Sequence, residues 1–94
     1  MKYYNTIIEP EAREDLESIY TFIAHNDTPV KAQRFLRKLQ EAIGSLSYMP
    51  ERCRMSIYIK DNKTHDLIVY GYTICYHVLD ESVYVVAVFR QREF

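Results

Sequence analysis

The residues best suited to chemistry are arginines at the ends of segments that read as strands. Arg52 and Arg54 precede one such segment, and Arg90 and Arg92 follow another. Guanidinium groups at strand ends can converge in one groove, where they would bind a phosphate or a carboxylate. The sequence therefore predicts an anion-binding surface built from these arginines, with ordinary solvated surface charge as the alternative.

Tyrosine is the second feature that could serve a site, with nine copies against four phenylalanines and no tryptophan. Tyr70, Tyr72 and Tyr76 alternate along one predicted strand, so their rings should share a face of the sheet. That face is interpreted as the core beneath the helices. An aromatic platform for a partner is the alternative, since tyrosine suits protein interfaces.

Other chemistry-bearing residues form no recognisable pattern. His25, His65 and His77 show neither metal-ligand spacing nor a catalytic pair, and no nucleophile elbow or Gly-rich phosphate loop occurs. No cofactor, metal or small-molecule substrate is predicted. Cys53 and Cys75 lack CxxC spacing, and we expect Cys75 to be buried and unpaired with Cys53.

Composition bounds the class of protein. The 94 residues, 48% of them apolar, predict a single globular domain over residues 1–94. No apolar run reaches the roughly 18–20 residues of a membrane span, and the N-terminus does not read as a secretory signal. A cytoplasmic protein is expected. A net charge of −1 disfavours a surface that grips nucleic acid throughout.

Two helices follow a short first strand over residues 2–8. Glu9-Pro10 and Thr28-Pro29 read as helix starts, with proline at the first helical position. Each helix carries one apolar stripe of helical period, and Pro50 stops the second. The short connection predicts an antiparallel hairpin. The apolar stripes comprise Ala12, Leu16, Ile19, Tyr20 and Ile23, and Ala32, Phe35, Leu36, Leu39, Ala42, Ile43 and Leu46.

The remainder reads as three strands. They are predicted over Met55–Lys60, Asp66–Val78 and Val83–Phe89, separated by polar turns at residues 61–63 and 80–82. The last is apolar on both faces, as expected of an inner strand. The predicted class is α+β, in the order β-α-α-β-β-β, with a helical hairpin on a small antiparallel sheet. The first strand would add at an edge or beside the last strand.

The order and spacing of these residues resemble the ParE/RelE superfamily of toxins from bacterial type II toxin–antitoxin modules. The pattern is Asp15-Leu16-x-x-Ile19-Tyr20-x-x-Ile23, then Ala32-x-x-Phe35-x-x-x-Leu39-x-x-x-Ile43-x-x-Leu46-x-x-x-Pro50, then Tyr72-x-Ile74-x-Tyr76-x-Val78, then Val83-x-Val85-x-x-Val88 and a terminal arginine cluster. The resemblance covers nearly the whole chain. It implies the RelE/ParE-like fold.

The resemblance separates two branches by their targets. RelE-like members cut ribosome-bound mRNA, and several carry an arginine where this chain has Thr73, which supplies no cation. They also use a titratable residue near the C-terminus, where this chain has Phe94. ParE-like members are thought to poison DNA gyrase by binding, and that branch is favoured. A degenerate, non-toxic member is a further alternative.

The resemblance also implies a cognate antitoxin and, for the ParE-like branch, a role in plasmid stabilisation. The C-terminal segment of the antitoxin would wrap the toxin, often with a helix laid in a groove and a strand added to the sheet. Arg54, Tyr72, Arg90 and Arg92 are weak candidates for catalysis in the RelE-like alternative. The candidates for partner binding are Arg52, Arg54, Tyr72, Arg90, Arg92 and Phe94.

Overall fold

Two helices lie against one face of a five-stranded sheet in the computed structural model, which describes residues 2–90. The predicted α+β class and the helical hairpin are confirmed. Residues 2–90 form five strands rather than the predicted four. The elements are β1 (Asn5–Ile8), α1 (Pro10–Asn26), α2 (Pro29–Gly44), β2 (Arg54–Met55), β3 (Thr64–Val69), β4 (Tyr72–Leu79) and β5 (Ser82–Arg90).

Both helices begin where the sequence predicts. Pro10 and Pro29 open them, and the Thr28 side chain accepts a hydrogen bond of 3.1 Å from the backbone N–H of Lys31. Helix α2 ends at Gly44, and the apolar stripe continues into a 3₁₀ turn, where Leu46 is fully buried. Within residues 2–90, neither helix has the length and apolar character that a bilayer crossing requires.

One apolar core joins the helices to the sheet. Burying these side chains removes apolar surface from water, which is the main force that holds the layers together. The predicted stripes supply the helical half, and the residues of β4 and β5 that face the helices supply the other half. The core consists of Ala12, Leu16, Leu39, Ile43, Leu46, Ile74, Tyr76, Val83, Val85 and Val88.

The sheet is mixed, which corrects the prediction of an antiparallel sheet. Its order is β1-β5-β4-β3-β2, and β1 runs parallel to β5 while the other neighbours are antiparallel. Parallel neighbours require a long crossover, and the helical hairpin lies within the connection from β1 to β5. The predicted place of the first strand, at an edge and beside the last strand, is confirmed.

The single strand predicted over Asp66–Val78 is wrong. Tyr70 and Gly71, with φ of +55° and +79°, form a two-residue turn between β3 and β4. Consecutive left-handed residues are typical of a type I′ hairpin turn, which favours asparagine before glycine, so a tyrosine there gave no turn signal. Tyr72 and Tyr76 lie on the helix-facing side, whereas Tyr70 projects from the turn and is 55% exposed.

The strand predicted over Met55–Lys60 is also wrong, because β2 contains only Arg54 and Met55. The Ser56 hydroxyl accepts hydrogen bonds from the backbone N–H groups of Tyr58 and Ile59, a local turn that ends the strand. The following segment crosses the sheet face opposite the helices, where the rings of Tyr58 and Phe89 meet edge-on at 5.0 Å. The turn at residues 61–63 is confirmed.

Candidate functional site

A groove between α1 and the sheet brings two of the predicted site residues together. Tyr72 and Arg90 are direct cross-strand neighbours on β4 and β5. They line the groove with Ser18, Ile19 and Phe22 of α1, and its volume is about 360 Å³. Residues three and four apart on a helix share a face, so α1 supplies one continuous wall. We call these five residues the α1–β4–β5 groove.

The groove combines an apolar wall with a cation at its rim. Phe22 is 58% exposed although it is a large apolar side chain. Arg90 is exposed and forms no ion pair with any residue from 2 to 90. The Tyr72 ring is held against Phe35 at 5.3 Å between centroids. The arrangement suits a segment that offers apolar side chains and a carboxylate.

Arg52 lies outside this groove and organises the chain after α2. Its guanidinium donates to the carbonyl oxygen of Tyr48 at 2.7 Å and to that of Met49 at 3.2 Å. It also donates to the carbonyl and hydroxyl oxygens of Ser45. Met49 has φ of +47°, and these hydrogen bonds satisfy the carbonyls around its left-handed backbone. Arg52 therefore stabilises the chain segment after α2.

Arg54 lies on the sheet face opposite the helices, where it faces a buried carboxylate. Its Nη2 atom lies 3.5 Å from Oδ2 of Asp66, whose side chain is fully buried. The same carboxylate accepts hydrogen bonds from the N–H of Ile57 and the thiol of Cys75. A buried charge requires such partners. Arg54 therefore compensates Asp66 and does not join Tyr72 and Arg90.

The last two predicted site residues, Arg92 and Phe94, lie outside the described residues. Sequence reasoning missed the α1 wall of the groove. Phe22 could have indicated this wall from the sequence, because it is a large apolar residue that falls outside the core stripe of α1.

Among residues 2–90, three titratable groups have clearly displaced pKa values, and all three lie away from the groove. Burial, and then the hydrogen bond to Asp66, raise the pKa of the Cys75 thiol to about 12. Burial raises the pKa of Tyr76, whose hydroxyl donates to the carbonyl oxygen of Pro50. The hydrogen bond from the Thr64 hydroxyl lowers the pKa of Asp61 to about 2.

The cysteines follow the sequence analysis. Cys75 is buried, and Cys53 and Cys75 are both free thiols, as predicted. His65 approaches the carbonyl oxygen of Cys53 at 2.9 Å and stacks on Tyr76, and His77 stacks on Tyr84. Across residues 2–90, no three His, Cys, Asp or Glu side chains gather closely enough to hold a metal ion.

Comparison with known proteins identifies the family. The sequence profile described as the ParE toxin of the type II toxin–antitoxin system, parDE, matches residues 6–93. The chain belongs to the ParE toxin family. This confirms the resemblance and makes the protein a toxin-type member of a type II toxin–antitoxin system. No curated protein matches it significantly.

Two solved structures share the ParE-family fold of this chain. One, the chromosomal ParDE toxin–antitoxin system from P. aeruginosa, has a TM-score of 0.83 at 14% identity, with 96% of this chain and 98% of that one covered. The other, the RelBE2 toxin–antitoxin complex from Mycobacterium tuberculosis, has a TM-score of 0.72 at 23% identity, with 99% and 97% covered. At these identities, the likeness establishes the fold alone.

Proposed function

We propose that this ParE-family protein is a single-domain cytoplasmic toxin that a cognate antitoxin neutralises and that acts by binding DNA gyrase. The observation that carries the proposal is the α1–β4–β5 groove, an open, largely apolar recess with the Arg90 guanidinium at its rim. The family match and the likeness to two toxin–antitoxin structures support an antitoxin as the partner.

The groove fits one segment of an antitoxin chain. Its exposed Phe22 offers apolar contact area, and its half-buried Tyr72 is already fixed by Phe35, so little side-chain freedom is lost on binding. Arg90 can pair with a carboxylate of that segment in a bidentate hydrogen bond. An amphipathic helix with an acidic residue at its edge meets all three requirements.

Binding without chemistry is supported by the position of Thr73. Several RelE-like members place an arginine at this position, and here the Thr73 side chain is fully buried with its hydroxyl unpaired. It lies on the sheet face opposite Tyr72 and Ile74, because neighbouring strand residues point to opposite faces. Thr73 therefore supplies no cation at the groove. We propose gyrase inhibition on this basis, with plasmid stabilisation as its consequence.

Pulse labelling after induction tests the target. An earlier fall in thymidine than in methionine incorporation, rescued by the antitoxin, is expected for a gyrase poison. An earlier fall in methionine incorporation would instead establish the RelE-like alternative, ribosome-dependent mRNA cleavage. If neither falls, the protein is a degenerate, non-toxic member.

Titration of the antitoxin against Arg90→Ala tests the groove. Loss of a charge-assisted hydrogen bond is expected to weaken binding by roughly tenfold or more. Lys63→Ala is the matched control, because Lys63 is an exposed cation in the turn before β3. Equal affinities for the two variants would contradict the assignment of the groove.

A further inference from the structure

We infer that the β3–β4 hairpin tip, formed by Tyr70 together with Lys38 and Arg34 of α2, is the surface that docks into an acidic recess of the toxin's protein target. This inference rests on the proposed function and assigns the target a surface distinct from the antitoxin groove. The first observation is that Tyr70 has a left-handed backbone conformation, which is unfavourable for tyrosine.

Tyr70 occupies the first left-handed position of the β3–β4 turn. Its φ of +55° is unfavourable for a residue with a large side chain, whereas asparagine or glycine adopts it readily. The ring is nevertheless 55% exposed, so burial in the core does not compensate for the strained backbone. Strain retained at an exposed position points to a function for the side chain.

The Tyr70 ring is held in one orientation by its neighbours. Phe35 meets it edge-on, with 6.3 Å between the ring centroids and an interplanar angle of 68°. The ammonium nitrogen of Lys38 lies 5.5 Å from the centre of the ring. A ring that is fixed before binding loses little freedom in the complex, which is a property of tyrosines that anchor interfaces.

The charge beside the ring is positive and unpaired. Arg34 and Lys38 lie one turn apart on α2 and are exposed, and neither forms an ion pair with any residue from 2 to 90. Lys31, one turn earlier, is paired with Asp27 at 3.4 Å. Lys38 at the ring and Arg34 one helical turn away therefore complement carboxylates on the partner.

A protein target is favoured over nucleic acid by the charge of the remaining surface. The chain has a net charge of −1, and the outer face of the neighbouring helix α1 carries exposed Glu11, Glu14 and Glu17. These carboxylates repel a polyanion that extends beyond the tip. A recess on a protein surface that carries a few acidic side chains would contact the tip alone, and it would not meet the glutamates of α1.

The shape of the tip distinguishes it from the antitoxin groove. A two-residue turn at the end of a hairpin projects outward, so it enters a recess of the partner rather than receiving a segment. Phe35 contacts the rings of both Tyr70 and Tyr72, so the tip and the groove adjoin.

The test compares Tyr70→Asn and Lys38→Glu with the charge control Lys63→Glu, using the purified full chain. Asparagine suits the turn, so Tyr70→Asn is expected to melt at or above the wild-type temperature, which excludes misfolding as an explanation. We expect both tip variants to inhibit gyrase supercoiling on the order of tenfold more weakly than wild type. Their affinity for the antitoxin should change by less than about threefold, since neither variant alters a residue that lines the groove. Lys63→Glu should behave as wild type.

Several results would overturn the inference. Unchanged gyrase inhibition by Tyr70→Asn would do so, as would a loss confined to antitoxin binding, which would assign the tip to the antitoxin. Binding of a labelled oligothymidine by wild type but not by Tyr70→Asn would reassign the tip to nucleic acid.

If wild type fails to inhibit gyrase, the proposed target is wrong, and the tip is then tested by growth arrest on induction. Arrest that Tyr70→Asn abolishes supports the tip as the contact with a different protein target, and retained arrest refutes it. A wild type that neither inhibits gyrase nor arrests growth refutes both proposals.

Discussion

Asp15 holds α1 to the sheet through one hydrogen bond, and its removal should cost measurable stability. Its Oδ2 atom accepts a hydrogen bond of 2.9 Å from the backbone N–H of Val88, which is 2% exposed. β1 pairs with β5 only as far as Val85, so Val88 has no strand partner on that side. Asp15→Ala leaves the buried N–H without its acceptor.

The expected loss follows from the charge and exposure of this pair. Hydrogen bonds to charged groups contribute about 1.5–3 kcal/mol, and a buried donor left unpaired costs a similar amount. Asp15 is half-buried, so water replaces part of the interaction, and we expect a loss of about 1–2 kcal/mol in the free energy of unfolding. For a domain of this size, that corresponds to a melting temperature lowered by roughly 5–10 °C.

Urea unfolding and thermal melting of three variants provide the assay. Glu14→Ala removes a neighbouring, exposed carboxylate and should stay within about 0.5 kcal/mol of wild type. Asp15→Asn keeps an acceptor oxygen and should lose less than Asp15→Ala. The reasoning is refuted if Asp15→Ala and Glu14→Ala are equally stable, because the Val88 hydrogen bond would then contribute nothing.

Three further outcomes are expected. A thiol reagent at pH 8 should modify Cys53 well before Cys75, because burial holds the pKa of Cys75 at about 12; equal rates would contradict this. The Asp61 carboxyl should titrate by NMR near pH 2. Because the folded pKa of Asp61 lies below its unfolded value, its stabilising contribution is present above about pH 4 and is lost as the pH falls towards 2. A titration midpoint of Asp61 near pH 4 would contradict this. Gly71→Ala should destabilise the protein by about 1 kcal/mol, because the residue has a φ of +79°. A methyl group there meets no atom within 4 Å, so the backbone conformation is the sole cause of the loss. Unchanged stability would show that the turn relaxes.

The helices could be predicted in detail because their signals are local. Pro10 and Pro29 open them, Thr28 caps the second, and the apolar stripes have the period of the helix. The inner position of β5 could also be predicted, because a strand that is apolar on both faces requires a neighbour on each side.

The hairpin between β3 and β4 could not be predicted from turn residues. Tyr70 continues the alternating pattern of the strand on either side, and only the single Gly71 marks the reversal. Asp15 lies off the apolar stripe of α1, and its hydrogen-bond partner is a backbone group 73 residues away in the sequence. A contact with a backbone N–H leaves no trace in the side-chain pattern.

The candidate site was predicted only in part, because contacts that form on folding leave no signal in the sequence. Arg90 was predicted as an arginine at a strand end and Tyr72 as one tyrosine of the alternating stripe, and the strand register brings them together. Arg52 and Arg54 had equally good positions in the sequence. In the folded chain, however, Arg52 binds three backbone carbonyls and Arg54 faces the buried Asp66. These contacts form only on folding, so the sequence did not reveal them.

The parallel pairing of β1 with β5 has a consequence for how the toxin is made. Asn5 is registered with Ser82 and Ile8 with Val85, so this pairing joins residues 77 positions apart. Such distant contacts are slow to form, because a long loop must close before they contribute free energy. At about 5–20 residues per second, several seconds of translation separate the synthesis of β1 from that of its partner. The nascent chain therefore cannot pair β1 with β5 before residues 82–85 have been synthesised, or form the groove at Arg90 before residue 90 has been synthesised.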